Sequence, residues 1–124
     1  LPARSCAFEI DMDALISQMS EQPIQVKGVS TFPLAKEDIA LVVPSDIPAS
    51  RVEQIVRQGA GQLAESVTLF DIYEGDQVPE GYRSLAFALR LRAADHTLTA
   101  KESSQVREQV VAKASKVLGA SLRA

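Results

Sequence analysis

The stretch Glu65–Arg92, ESVTLFDIYEGDQVPEGYRSLAFALRLR, limits the folds open to this chain more than any other. Two runs, Val67–Tyr73 and Ser84–Arg92, flank a loop holding Gly75, Pro79 and Gly81. Period-two alternation bounded by Gly and Pro predicts an antiparallel hairpin. In the second run Leu85, Phe87, Leu89 and Leu91 share one face, and Ser84, Ala86, Ala88, Arg90 and Arg92 share the other, because side chains alternate along a strand. The first face is apolar and the second small and cationic, so the sheet has one side to cover and one side to use. The same count along the first run puts Phe70 and Ile72 in the core and leaves Leu69, Asp71 and Tyr73 on the open face. Val78-Pro79-Glu80-Gly81 has Pro second and Gly fourth, as a type I turn prefers.

The flanking segments complete the pattern. Asp38–Val43 reads as a first strand, with Ile39, Leu41 and Val43 inward and Asp38, Ala40 and Val42 outward. Pro44, lacking a backbone donor, stops the ladder. Pro48 suits the first turn of a helix with Asp46 ahead of it, or Ser50 and Glu53 form a capping box. Val52, Ile55, Val56 and Leu63 recur at helical spacing until Gly59 and Gly61 weaken the end. Thr99-x-x-Glu102 is spaced as a capping box for a second helix. Its expected stripe is Val106, Val110, Ala114 and Val117, widened by Val111 and Leu118, with Gly119 as C-terminal cap and Ala120–Arg123 as a short edge strand. The order β-α-β-β-α-β predicts an α+β fold of ferredoxin-like, split βαβ type. Its four-stranded antiparallel sheet carries two helices on one face, with right-handed crossovers.

That domain is expected over residues 29–124. Residues 1–28 read as the tail of a preceding domain plus a linker: Phe8, Ile10 and Met12 alternate, Leu15, Ile16 and Met19 turn helical, and Ser20–Gly28 is polar with Pro23 and Gly28. The chain opens mid-pattern without an initiator Met, as a piece cut from something larger would. No apolar run approaches the roughly 20 residues a bilayer demands, so no membrane partner is expected. Leu1-Pro2-Ala3-Arg4 leads into acidic Phe8-Glu9-Ile10-Asp11, unlike a signal peptide. One cysteine, Cys6, fits a reducing compartment, and the cytoplasm is the expected location.

No reaction chemistry is legible. One Cys and one His give no metal-ligand spacing, and neither a phosphate-cradling nor a dinucleotide glycine loop occurs. His96 has no identifiable acid or nucleophile partner. Catalytic residues, metal ligands and bound cofactors are therefore not expected in this chain. The net charge of −3 argues against bulk attraction to nucleic acid, yet Tyr82–Ala94 carries Arg83, Arg90 and Arg92 without an acid. RNA-binding modules of this topology stack unpaired bases on aromatics of the central strands. Here Phe87 falls on the core side, and the open face offers Ala40, Asp71, Tyr73, Ser84, Ala86, Arg90 and Arg92 instead. Tyr73 then either stacks a base or covers the sheet, and Asp71 either accepts from a base edge or ends strand pairing.

The ordered set Ser30-x-Phe-Pro33, Asp38-Ile-Ala-Leu-Val42, Glu65-Ser-Val-x-Leu-Phe-Asp-x-Tyr-x-Gly75, Pro79-Glu-Gly81, Ser84-Leu-Ala-Phe87, Thr97-Leu-Thr-x-x-Glu102 and Gly119-Ala-x-Leu-Arg123 resembles one family. It is the ferredoxin-fold anticodon-binding domain that ends the β subunit of bacterial phenylalanyl-tRNA synthetase. Phe8-Glu-Ile-Asp-x-Asp-Ala-Leu15 is similar to the end of the domain before it. The resemblance implies that the open face, Asp71 and Tyr73 included, meets the anticodon stem-loop of tRNA-Phe. It also implies that the partners are the rest of the β subunit and an α subunit in an α2β2 heterotetramer, and that aminoacylation with ATP and Mg2+ occurs in the α subunit. Many relatives have two basic residues before the first-strand aspartate; this chain has Lys36-Glu37, and Glu37 is expected to weaken attraction to a phosphate backbone. Two other readings of the topology are a small-molecule regulatory module, which commonly dimerises around an amino acid, and a protein-interaction domain that uses the sheet for assembly.

Overall fold

The computed structural model describes residues 4–19 and 30–123. The elements run α1 (Met12–Ser17), β1 (Ala35–Pro44), α2 (Ala49–Ala60), a 3-10 turn (Gly61–Leu63), β2 (Ala64–Tyr73), β3 (Tyr82–Leu91), α3 (Ala100–Leu118) and β4 (Ser121–Leu122). The sheet order is β2-β3-β1-β4, and every pairing is antiparallel. From β1 onward this is the expected split βαβ topology.

The apolar ladder of β3 fixes the middle of the sheet. Leu85, Phe87, Leu89 and Leu91 are completely buried, beside Ile39, Leu41 and Val43 of β1. The α2 and α3 helices cover this side with Val52, Ile55, Val56 and Ala60 from one and Val106, Val110 and Ala114 from the other. At the end of α3 the buried stripe passes to Leu118, and Val117 is half exposed rather than core. An i, i+4 stripe advances by about 40° at each step, so it leaves the inward face within a few turns.

Local chemistry sets the helix ends. Thr99 and Glu102 form the reciprocal capping box, and Gly119 closes α3 at φ 64°, a left-handed position that Gly takes without a Cβ clash. For α2 the expectation is corrected: Pro48 is itself the N-cap, and Ser50 and Glu53 form no box. The hairpin turn also closes one residue later than predicted, with Tyr82 N–H donating to Pro79 carbonyl and Gly81 at φ 81° in the third position. That position of a type II turn requires positive φ, which explains the glycine better than a type I turn does.

The expected tail contains α1, whose N-cap Asp11 accepts from the Asp13 and Ala14 amides at 3.0 Å. None of its residues is buried, and Phe8, Ile10, Leu15, Ile16 and Met19 are all exposed. The linker expected over Ser20–Gly28 lies outside the described residues.

Gly59 is the point where the two covering helices touch. A Cβ there would sit 2.8 Å from the Val110 Cα, a backbone atom that cannot swing aside. Gly59→Ala gains about 1 kcal/mol of helix propensity but forces the helices apart, which typically costs about 1–3 kcal/mol. Net destabilisation of up to about 2 kcal/mol is expected in denaturant melts; a stabilised variant would show that the crossing is looser than this.

Candidate nucleic-acid interface

On the side away from the helices the strand register lays out a grid. Its rows across β2, β3 and β1 are Tyr73–Ser84–Val42, Asp71–Ala86–Ala40, Thr68–Ala88–Asp38 and Ser66–Arg90–Lys36. Directly paired residues share a face. The two central strands thus give a floor of small side chains, with Asp71 and Tyr73 rising from one edge.

How β2 reaches this arrangement overturns part of the sequence reading. Leu69 pairs with Phe87 and Asp71 with Ala86, so Phe70 is an extra residue, a β-bulge. Leu69 packs on the core instead of facing outward. Phe70, expected inside, is 58% exposed and lies on the open face beside Thr68 and Ala88. Ile72 does sit on the core side, opposite Leu85, but beyond the helix cover, and it is half exposed. Without the bulge, a strand with Val67 and Leu69 inward would turn Asp71 and Tyr73 inward too. The signal was present in the sequence: the inward apolar positions 67, 69 and 72 are spaced by two and then by three.

The Tyr73 ring is held at two points. Its hydroxyl end occupies the space where a Gly75 Cβ would lie, 2.7 Å away. The Arg123 guanidinium rests over the ring, 4.4 Å from its centroid, a cation–π contact. Arg123 belongs to the opposite edge: its amide donates to Ala40 carbonyl at 2.8 Å, and its side chain also reaches Gln77 in the hairpin loop. It spans the face above the alanine floor. Ser84, placed on the open face by register, is only 2% exposed and is a support, not an accessible contact. Sequence reading named Arg123 only as part of a closing motif and missed its place here.

The cations sort differently from the expected basic strip. Arg83 faces the helix side and donates to Ile47 carbonyl at 2.7 Å. Arg92 is committed to Glu65, 2.6 Å away, and to the Ser30 carbonyl. Arg90 remains on the open face, loosely paired with Asp38 at 3.8 Å, and Lys36 lies beside it. Glu37 pairs with Leu89 and so belongs to the helix side, which removes the expected repulsion from the open face. Ala40, Asp71, Tyr73 and Ala86 are thus brought together, with Arg90 on the same face four residues further along β3.

Away from the grid, Ser30, Leu63–Glu65 and Arg92–His96 enclose a hollow of about 830 Å³ at the strand ends. Its Arg92 and Glu65 neutralise each other. His96 is not solitary, as expected, but bridges Asp95 at 2.7 Å and Glu102 at 3.0 Å. Hydrogen bonds to Asp95 and then Glu102 raise its pKa above 6.5. Glu102 is held at about 2, chiefly by the Thr99 amide and hydroxyl and then by His96. Among the described residues no three His, Cys, Asp or Glu side chains converge for a metal ion. Nor is any described helix long and apolar enough to cross a membrane.

These features define a ferredoxin-like domain with an open polar and aromatic sheet face. The chain belongs to the ferredoxin-fold anticodon binding domain family, whose model matches residues 30–123. It is similar to the phenylalanine–tRNA ligase beta subunits of Thermobifida fusca, 49% identical over 123 residues, and Streptomyces avermitilis, 50% identical over 123 residues, with 99% of this chain covered in both. The chain spans 15% of the length of each of these relatives.

Two measurements test this geometry. Gly75→Ala pushes the Tyr73 ring from under Arg123, so the upfield shift of the Arg123 side-chain protons should vanish while core amides stay in place; a retained shift would contradict the contact. His96 should titrate above 6.5. A raised pKa means that its share of stability is full below pH 6.5 and fades as pH rises through the folded value. Glu102 contributes above pH 4.5 and loses its share as pH falls toward about 2. A His96 midpoint at or below 6.5 would mean the cluster is not formed in solution.

Proposed function

We propose that this chain is a non-catalytic module of a phenylalanine–tRNA ligase beta subunit that binds the anticodon stem and loop of tRNA-Phe. Family membership supplies the class of ligand, and the observation that carries the reading is the grid of Tyr73 and Asp71 over the alanines of β1 and β3. In the complex a base takes the place of the Arg123 side chain over the Tyr73 ring, the methyl-sized side chains let it approach the sheet, and Asp71 accepts from its edge. The domain holds one end of the tRNA so that the other end reaches a distant active site. In this reading aminoacylation with ATP and Mg2+ takes place in the α subunit of an α2β2 assembly in the cytoplasm. Residues 1–28 are the tail of the preceding domain of the β subunit plus a linker, a reading supported for the tail by the uncovered apolar side chains of Phe8–Met19.

The test is a titration of the chain with a phenylalanine anticodon stem-loop and a scrambled-anticodon control. Amide shifts are expected at Ala40, Asp71, Tyr73 and Ser84–Arg92, larger for the true anticodon; equal weak shifts for both RNAs would oppose specific recognition. Tyr73→Ala should weaken binding by about 1–3 kcal/mol, the usual worth of a stacked base, with the fold intact. Arg90→Ala should lower the salt slope of log K by about 0.7–1, as for one lost phosphate contact. An unchanged slope would remove Arg90 from the footprint.

A further inference from the structure

Phe70 is a large apolar side chain that the open face displays without using it, nearer its middle than Tyr82 at the strand end. It is 58% exposed, and a one-residue bulge turns it outward. Bulges commonly re-aim a side chain next to a functional site. In front of it lies an open hollow of about 430 Å³, lined by Asp38, Ser66, Thr68, Phe70, Ala88 and Arg90. The lining combines one aromatic ring, one methyl floor, hydroxyl and carboxylate groups able to meet a base edge, and a guanidinium able to meet a phosphate. A protein-docking patch would need a broader apolar centre, and here Phe70 and Ala88 alone are apolar. The hollow is continuous with the Tyr73 grid: Tyr73 follows three residues later on the same strand, about 7–10 Å away at roughly 3.3 Å per residue.

We propose that Phe70 is a second nucleobase-stacking site, which takes an unpaired nucleotide of the anticodon loop adjacent to the one stacked on Tyr73. This rests on the anticodon-binding reading of the open face. The two rings form a stepped platform along β2, with Arg90 and Lys36 beside the lower step for the phosphate that follows. Stacking on a ring is tolerant of base identity, so Phe70 adds affinity and register, while discrimination stays with the polar groups beside it.

The experiment uses the 124-residue chain and a fluorescently labelled phenylalanine anticodon stem-loop, with a set of loops each lacking one base. Phe70→Ala and Phe70→Leu should each weaken binding roughly fivefold or more. Phe70→Trp should bind like the natural chain, and its indole, the sole Trp in the molecule, should be quenched by RNA. Removing one particular base should cost the natural chain as much as Phe70→Ala does, and should cost the Phe70→Ala chain nothing further. That base should differ from the one coupled in the same way to Tyr73→Ala. Thermal melts verify that each variant is folded, as the exposure of Phe70 predicts. Full affinity in Phe70→Ala beside a weakened Tyr73→Ala overturns this proposal and leaves the wider reading standing. Loss of effect in both variants overturns both. Full affinity in Phe70→Leu shows an apolar contact in place of stacking, and coupling of both residues to one base shows a single site; either result overturns the second step.

Discussion

Everything on the useful side of this domain depends on burial on the other side. Four side chains of β3, Leu85, Phe87, Leu89 and Leu91, are sealed completely, and β3 lies between β1 and β2. Complete burial of each is worth about 1.5–3 kcal/mol, and a slip of one residue would expose all four. That penalty locks the register of the central strands. Locked register in turn decides which small side chains, Ala40, Ala86 and Ala88, meet on the outer face. The floor of the interface is therefore set by hydrophobic forces acting beneath it, and polar groups on the outer face need supply only recognition.

The parts legible in the sequence were those governed by simple periods. The alternation of β1 and β3, the stripes of the two long helices, the Thr99–Glu102 box and the Gly119 cap each follow from local rules, and together they specified the topology. One departure from the sequence reading is a break in periodicity. The bulge at Phe70 shifts the phase of β2, so simple alternation exchanges the faces of Leu69 and Phe70 while it still puts Asp71 and Tyr73 outward. Long side chains were equally hard to follow. Arg83 and Arg92 belong to a basic strip in sequence, but their guanidinium groups fold back on Ile47 and on Glu65 and Ser30. Arg123 reaches across the face from the far edge, a contact between residues 50 positions apart that no local pattern encodes.

The candidate site thus combines two levels of control. Tyr73 owes its face to the bulge, its tilt to the missing side chain of Gly75, and its covering cation to the last strand. Two close neighbours in sequence, the bulge at Phe70 and Gly75, and one residue 50 positions away, Arg123, converge on one ring. Gly75 and Arg123 act on the interface side alone, the bulge also sets Leu69 against the core, and Gly59 lies between the two covering helices.

An open sheet has a second problem, the unpaired backbone at its borders. One border, β2, carries the bulge, which breaks the regular spacing that an incoming strand would need. At the other border β4 pairs only with Leu41 and Val42 of β1, and the stretch of β1 before them is Lys36-Glu37-Asp38. Charges on an exposed border discourage another chain from adding on. The same bulge that displays Phe70 therefore also makes the β2 border a poor template for an added strand.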